Sequence, residues 1–368
     1  MSLARIERLQ RALAASGFDA MALTPGSSLT YLTGLHFHLM ERPTLLLIST
    51  GAQPALILAE LEVGKARGAG LPLQLFPFGD NPALWGQPFE QSAQALGLQG
   101  KRIGVEAAKM RFLELRYLEN AAPGARFEAA DDALGSLRMQ KDAEEVAAMR
   151  QAVQIAQNAL LATLPSIHPG VTEREVASEL YLQLLKAGSE TEAPFMPIVA
   201  SGPNSANPHA VPTERKLQPG DLLVIDWGAR YAGYCSDLTR TFAIGKVDEE
   251  LRRIAEITAR ANAAGRAASQ PEIAAGEVDQ AARAVIDAAG YGAQFFHRTG
   301  HGLGLEEHEP PYIFGENKLI LAPGMTYTVE PGIYLEGKGG VRIEDNVVIT
   351  ASGRETLSDL PRELITLA

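Results

Sequence analysis

Residues 221–242 read DLLVIDWGARYAGYCSDLTRTF, two strand-like apolar runs on either side of a turn that contains Gly233. The runs predict a β-hairpin. A loop with an even number of residues centred on Tyr231-Ala232 would set Asp226 directly opposite Asp237. Opposed side chains on one face of a ladder lie ~4.5–5.5 Å apart at Cβ, so two carboxylates there repel unless a cation stands between them. Asp226 also follows the apolar run Leu222–Ile225, which argues against a fully solvated face.

The same device recurs downstream. In TYTVEPGIYLEGKGGVRIED, residues 326–345, a hairpin centred on Gly337 would place Glu330 opposite Glu344. Between the two hairpins lies HRTGHGLGLEEHEPP, residues 297–311, in which His301 is surrounded by Gly300, Gly302 and Gly304 and followed seven residues on by His308. A third histidine, His209, sits in the Gly-, Pro-, Ser- and Asn-dense segment SGPNSANPHAVP, which reads as a positioned surface loop.

Carboxylates that water cannot reach must be protonated, paired or metal-bound. Four carboxylates balance two divalent cations, and one imidazole completes an oxygen-rich set. Such a set favours Mn²⁺, with Co²⁺, Zn²⁺ or Fe²⁺ as alternatives. It is unlike a structural zinc site, which is rich in cysteine. Taken singly, each residue has a plainer reading: a strand-ending Asp as a turn residue, a Glu among apolar neighbours as an edge charge, a glycine-flanked His as part of a loop. The ordered set is what carries specificity.

The remaining composition is close to the average for soluble globular proteins. The chain has 368 residues, 46% hydrophobic and 21% charged, with a formal net charge of −11. Length suggests about two domains, and an acidic balance disfavours nucleic acid and anionic membranes as partners. A single cysteine, Cys235, rules out an intrachain disulfide and fits a reducing compartment. The opening MSLARIERLQRALAASG reads as an amphipathic helix rather than a secretory signal, and no apolar run reaches the ~18 residues that span a bilayer. A cytoplasmic location is the expectation.

The first third alternates strand candidates (20–24, 44–49, 55–58, 101–105) with helical stretches, predicting an α/β domain over residues 1–131. A linker is expected at 132–141, then a second domain from 142 to 368. That domain opens at Asp142, whose pairing with Glu145 is a capping box, and Thr172 with Glu175 forms another. Further helices are predicted over 249–268 and 276–289, and strands over 222–227, 237–243, 326–330 and 340–349.

The motifs Asp226-Trp227-Gly228 through Asp237-Leu238-Thr239-Arg240-Thr241, then His301-Gly302-Leu303-Gly304, Glu330-Pro331-Gly332 and Arg342-Ile343-Glu344-Asp345, resemble the ligand segments of the creatinase/aminopeptidase P/prolidase family of pita-bread metallopeptidases. The resemblance extends over nearly the whole chain. It implies an N-terminal creatinase-like α/β domain and an α+β pita-bread catalytic domain built of two related halves. It further implies two metal ions on Asp226, Asp237, His301, Glu330 and Glu344, with His209 and His308 contacting the scissile bond and its oxyanion and Glu330 shuttling a proton. The activity implied is hydrolysis of the bond preceding proline in Xaa-Pro dipeptides, by a homodimer. Many dipeptide-restricted members carry an Arg shortly after the second histidine to grip the substrate carboxylate, where this chain has Tyr312. That departure keeps aminopeptidase P activity on longer peptides as a rival, and leaves Arg42, Tyr312 and Arg342 as candidate substrate contacts. A metal-free creatinase-like hydrolase and a non-catalytic binding module are weaker readings, since all five ligand positions are filled.

Overall fold

The computed structural model describes residues 2–367. The chain divides into two compact units, one up to Arg138 and one from Met139.

The first unit is built on six strands: β1 (Ala20–Leu23), β2 (Leu45–Ser49), β3 (Ala55–Ala59), β4 (Gln74–Phe78), β5 (Arg102–Val105) and β6 (Arg126–Ala129). They form one sheet in the order β4-β3-β2-β1-β5-β6. The β1–β2 and β2–β3 pairs are antiparallel and the other three parallel. Residues on β1, β2 and β3 are buried throughout, as expected of apolar strands in a sheet covered on both faces. Helices Gly86–Leu96 and Phe112–Ala121 supply Phe89, Ala93, Leu118 and Ala121 to the core on one face. Residues 131–139 form a helix where the sequence suggested a linker, because Ala133, Leu134 and Leu137 present a buried apolar stripe behind an acidic first turn.

The second unit repeats one plan twice. Helices Ala143–Thr163 and Glu173–Lys186 precede β7 (Ile198–Ser201), β8 (Leu222–Trp227), β9 (Arg230–Tyr231), β10 (Tyr234–Cys235) and β11 (Leu238–Ile244). Both helices open on capping boxes, from Asp142 with Glu145 and from Thr172 with Glu175. Helices Glu249–Ala268 and Ala275–Ala288 then precede β12 (Gly300–Gly302), β13 (Glu309–Ile313), β14 (Thr326–Val329), β15 (Gly332–Leu335), β16 (Gly339–Arg342), β17 (Asp345–Thr350) and β18 (Gly353–Thr356). The last strand, β19 (Ile365–Leu367), returns to the first sheet, giving β19-β11-β8-β7 and β13-β12-β14-β17-β18.

The first hairpin differs from the sequence expectation by one step. Tyr231 pairs with Tyr234, so the turn is Ala232-Gly233, both with positive φ (49° and 80°). Two-residue turns of this handedness match the strand twist, and Gly233 takes the second position without steric cost. Asp226 therefore faces Thr239, and Asp237 lies two residues away, a diagonal neighbour rather than a direct partner. The second hairpin has the expected centre. Gly332 pairs with Arg342 about Gly337, and the same register carried outward sets Glu330 against Glu344 just beyond the ladder.

The two sheets are fastened where the candidate ligands sit. Thr239 and Glu344 form an isolated antiparallel bridge. Arg240 donates to the carbonyls of Thr239 (2.8 Å) and Glu344 (2.7 Å) and to Asp345 Oδ1 (2.8 Å). Arg362 donates to Asp345 Oδ2 at 2.8 Å and the Ser358 hydroxyl to Oδ1 at 2.7 Å. Burial alone would raise the Asp345 carboxyl; the Arg240 and Arg362 charges and the serine hydrogen bond outweigh it and bring it down to about 2.

Removing this buried anion leaves Arg240 uncompensated, which typically costs ~3–5 kcal/mol. We expect Asp345→Asn to lower the urea midpoint markedly at pH 7. The native carboxyl titrates below its unfolded value of ~3.9, so its contribution is whole above that pH and is lost as pH falls toward about 2. The gap between variant and wild type should close over that window.

Candidate metal centre

A pocket of about 650 Å³ in the second unit is lined by Asp226, Asp237, His301, Glu330 and Glu344 together with His209, His308 and Arg342. Of the candidate site residues, Tyr312 is not among the lining residues and pairs across the ladder with His301. Arg42 belongs to the first unit, where it pairs with Asp80 and Glu41.

Backbone geometry brings the donors together. Gly300 and Gly302 flank His301 on β12, and a Cβ on either would lie 1.9 Å from the Thr328 carbonyl or 2.3 Å from that of Pro310. Only glycine lets the neighbouring strands close this tightly. Asn346 clamps the backbone of Asp237 from both sides, accepting from its N–H and donating to its carbonyl.

Four of the five donors have one side-chain atom held and another left over. Arg342 Nη2 donates to Asp226 Oδ2 at 2.6 Å, while Asp226 Oδ1 is buried with no hydrogen-bond partner. The Thr239 hydroxyl donates to Glu344 Oε2 at 2.7 Å and the Thr328 hydroxyl to Glu330 Oε1 at 3.0 Å. His301 Nδ1 lies 3.1 Å from the Gly302 carbonyl. With its hydrogen assigned there, Nε2 turns a lone pair toward Glu330 Oε1 at 3.2 Å and Asp237 Oδ2 at 3.6 Å. Three acceptor atoms facing one another are repulsive unless a cation stands among them.

Among the described residues, three groups of donor atoms each fall within 4.8 Å: Asp226, Asp237 and Glu344; His301, Glu330 and Glu344; and Asp237, His301 and His308. The first two share Glu344 and use all five expected residues, the pattern of two adjacent cation sites. The donor set fits hard or borderline divalent cations. Burial, and then mutual repulsion, holds the carboxyls of Asp237 and Glu344 well above the ordinary range. Asp226 is raised chiefly by burial, partly offset by Arg342.

Phe296, His297, Arg298 and Glu307 are among the pocket residues that escaped the sequence reading. His297 donates from Nδ1 to the Arg298 carbonyl at 2.8 Å and accepts at Nε2 from the Tyr334 hydroxyl at 3.0 Å. That hydroxyl in turn accepts from Arg342 at 3.1 Å. Phe296 packs against His297 and Tyr334, giving the pocket an aromatic flank beside its anionic floor. Glu307 also lines the pocket, with Oε2 buried and without a partner. His297 and Arg298 stand within the glycine-rich segment already singled out, but nothing in their spacing distinguishes them from strand residues. His308 packs against His301 with ring centroids 3.8 Å apart and planes tilted by 42°. Accessible at the pocket mouth yet walled by protein, it is pushed down to about 4 by burial and by the neighbouring His301, which keeps its ring neutral at pH 7.

A catalytic unit of paired helix–sheet halves with clustered carboxylates and one imidazole defines a metallopeptidase. The comparisons agree: residues 147–351 match the model for metallopeptidase family M24 and residues 5–140 that for the creatinase/prolidase N-terminal domain. The chain belongs to metallopeptidase family M24, with the pita-bread fold of its relatives. The dipeptidase of Pyrococcus horikoshii OT3 has a solved structure that superposes with a TM-score of 0.93 at 39% identity, covering 99% of this chain and 100% of that one. The Xaa-Pro dipeptidase of Lactobacillus helveticus is 33% identical over 98% of each chain. The X-Pro aminopeptidase of Thermotoga maritima MSB8 superposes with a TM-score of 0.86 at 32% identity, over 98% of this chain and 99% of that one.

Carboxyls whose pKa is raised in the cation-free protein must give up protons to bind metal. Calorimetric titration with Mn²⁺ in buffers of different ionisation enthalpy should show net proton release at pH 7. Apparent affinity should fall steadily as pH is lowered; a pH-independent affinity would exclude these carboxyls as donors.

Proposed function

We propose that this chain hydrolyses the peptide bond preceding proline in Xaa-Pro dipeptides, using two divalent cations, Mn²⁺ by preference, held by Asp226, Asp237, His301, Glu330 and Glu344. The observation that carries the reading is the buried, unpartnered Asp226 Oδ1 within a cluster of four carboxylates and an imidazole. When bound, such a cation pair activates water near neutral pH and polarises a carbonyl.

The chain's own residues do the remaining work. Arg342 and the Thr239 and Thr328 hydroxyls each engage one oxygen of a ligand carboxylate, which directs the other oxygen or the opposite lone pair inward. His209 and His308 line the pocket outside the five-residue set, and either can donate a hydrogen bond to the developing oxyanion. Glu330 can carry a proton to the departing proline nitrogen. Proline offers no N–H for a binding strand, so recognition must rest on ring shape. The flank of Phe296, His297 and Tyr334 gives a pyrrolidine ring an apolar wall. The names of the Lactobacillus helveticus and Pyrococcus horikoshii relatives support the dipeptidase form.

Aminopeptidase P activity is the second reading, favoured by Tyr312 at the position where an arginine is expected and by the Thermotoga maritima relative. A panel of Xaa-Pro dipeptides, Xaa-Pro-Yaa tripeptides and Xaa-Ala controls, assayed on Mn²⁺-loaded protein, separates the two. We expect dipeptide kcat/KM to exceed the tripeptide value at least tenfold and Xaa-Ala to be cleaved poorly. The reverse ranking of di- and tripeptide would establish aminopeptidase P. Asp237→Ala should abolish turnover of both while leaving the circular dichroism spectrum native. An active variant would remove the metal set from the chemistry.

A further inference from the structure

We propose that Glu173 is a positioning residue: its buried carboxylate clasps both ends of segment 201–213 and thereby holds His209 at the wall of the candidate metal pocket. The inference rests on the peptidase reading for the role of His209 and goes beyond it by naming what sets that histidine in place.

His209 lines the pocket and is exposed. Among the described residues no hydrogen bond reaches its ring; its backbone N–H donates to Asn207 Oδ1 at 3.1 Å. The place of the ring is therefore set by the main chain that carries it. That main chain is anchored at its crest and at its base. At the crest, Arg342 Nη1 donates to the Pro208 carbonyl at 3.3 Å and the Gly340 N–H to the Ser205 hydroxyl at 2.9 Å. A Cβ on Gly340 would lie 2.3 Å from the Ser205 carbonyl oxygen, so glycine is what lets β16 come this close.

At the base stands Glu173, in the first turn of the helix Glu173–Lys186 and fully buried. Its Oε1 accepts from the Ser201 N–H at 2.7 Å and the Ser201 hydroxyl at 2.8 Å, where the chain leaves β7. Its Oε2 accepts from the Thr213 N–H at 3.0 Å and the Thr213 hydroxyl at 2.6 Å, where the chain returns. Asn204 Nδ2 spans both oxygens at 3.1 Å each.

A first-turn glutamate often serves only the helix dipole, but such a side chain stays in water. Here Thr172 and Glu175 form the capping box without it. Burying a carboxylate is costly unless its lone pairs are filled, and among the described residues no Lys or Arg lies within ion-pair distance of Glu173. Its five donors all come from the one segment that carries His209. A carboxylate accepts at both oxygens, whereas an amide accepts at one end and donates at the other. Glutamine at 173 would turn an NH₂ toward a backbone N–H that cannot accept, and so release one limb of the segment.

The test pairs turnover with hydrogen exchange. Wild type, Glu173→Gln, Thr213→Val, His209→Ala and the double variant Glu173→Gln/His209→Ala are loaded with Mn²⁺ and assayed on an Xaa-Pro dipeptide, with Mn²⁺ binding followed by calorimetry. Amide exchange is followed by mass spectrometry on wild type, Glu173→Gln and Thr213→Val. Glu173→Gln should speed exchange over residues 202–212 by about tenfold or more, with Mn²⁺ affinity changed by less than about twofold. Its kcat/KM should fall by about tenfold or more, roughly as far as that of His209→Ala, and adding it to His209→Ala should cost less than about a further threefold, since both act through one ring. Thr213→Val removes one bond of the clasp and keeps its shape; it should fall between wild type and Glu173→Gln, and it carries the exchange and turnover comparison if Glu173→Gln does not fold. Losses that multiply in the double variant, a loss of Mn²⁺ binding that matches the loss of turnover, unchanged exchange in the clasp variants, or a fully active His209→Ala would overturn the assignment. Failure of the peptidase reading looks different: wild type is inactive on every peptide, while the exchange difference between wild type and the clasp variants remains.

Discussion

Four carboxylates packed into one buried cluster around an imidazole dominate the energetics of the second unit. Isolated, each would be held above its ordinary pKa by burial, and their proximity raises Asp237 and Glu344 further. Arg342 offsets one charge at Asp226. At Asp237 and Glu344 an electrostatic debt is left that only cations or protons can settle. The surrounding structure is built to hold that unfavourable arrangement in register. Glycines on either side of His301 admit neighbouring carbonyls, Asn346 fixes the backbone of Asp237, and hydroxyls hold one oxygen on each of Glu330 and Glu344.

The two halves of the unit share this task. One sheet brings Asp226 and Asp237, the other brings His301 and the turn after β14 brings Glu330. Glu344 joins them through its bridge to Thr239. Arg240 crosses the same junction and ties four backbone carbonyl groups and Asp345 to one side chain. The geometry of the candidate ligands and the packing of the two sheets are therefore one problem, and a change in the buried Arg240–Asp345 pair acts on both.

Much of this was legible in the sequence because its signals are local. Capping boxes fixed the starts of two helices, and a glycine-centred turn gave the register that aligns Glu330 with Glu344. The first hairpin was misplaced because an alanine adopts a left-handed conformation at 232, which residue preference argues against. Asp226 and Asp237 are still neighbours, since a two-residue shift keeps both on one face. Phe296, His297, Arg298 and Glu307 were not legible. Their roles depend on contacts across the fold, such as the stack of Arg298 on Tyr312 and the hydrogen bond from Tyr334 to His297. Arg342, a candidate substrate contact by sequence, donates to Asp226 at 2.6 Å.

The central claim is a statement about where cations sit. A crystal of the Mn²⁺-loaded protein, measured near the manganese absorption edge, should give two anomalous peaks. One should touch Asp226 and Asp237, the other His301 and Glu330, with Glu344 reaching both. A single peak elsewhere, or no peak in this pocket at saturating Mn²⁺, would contradict the account.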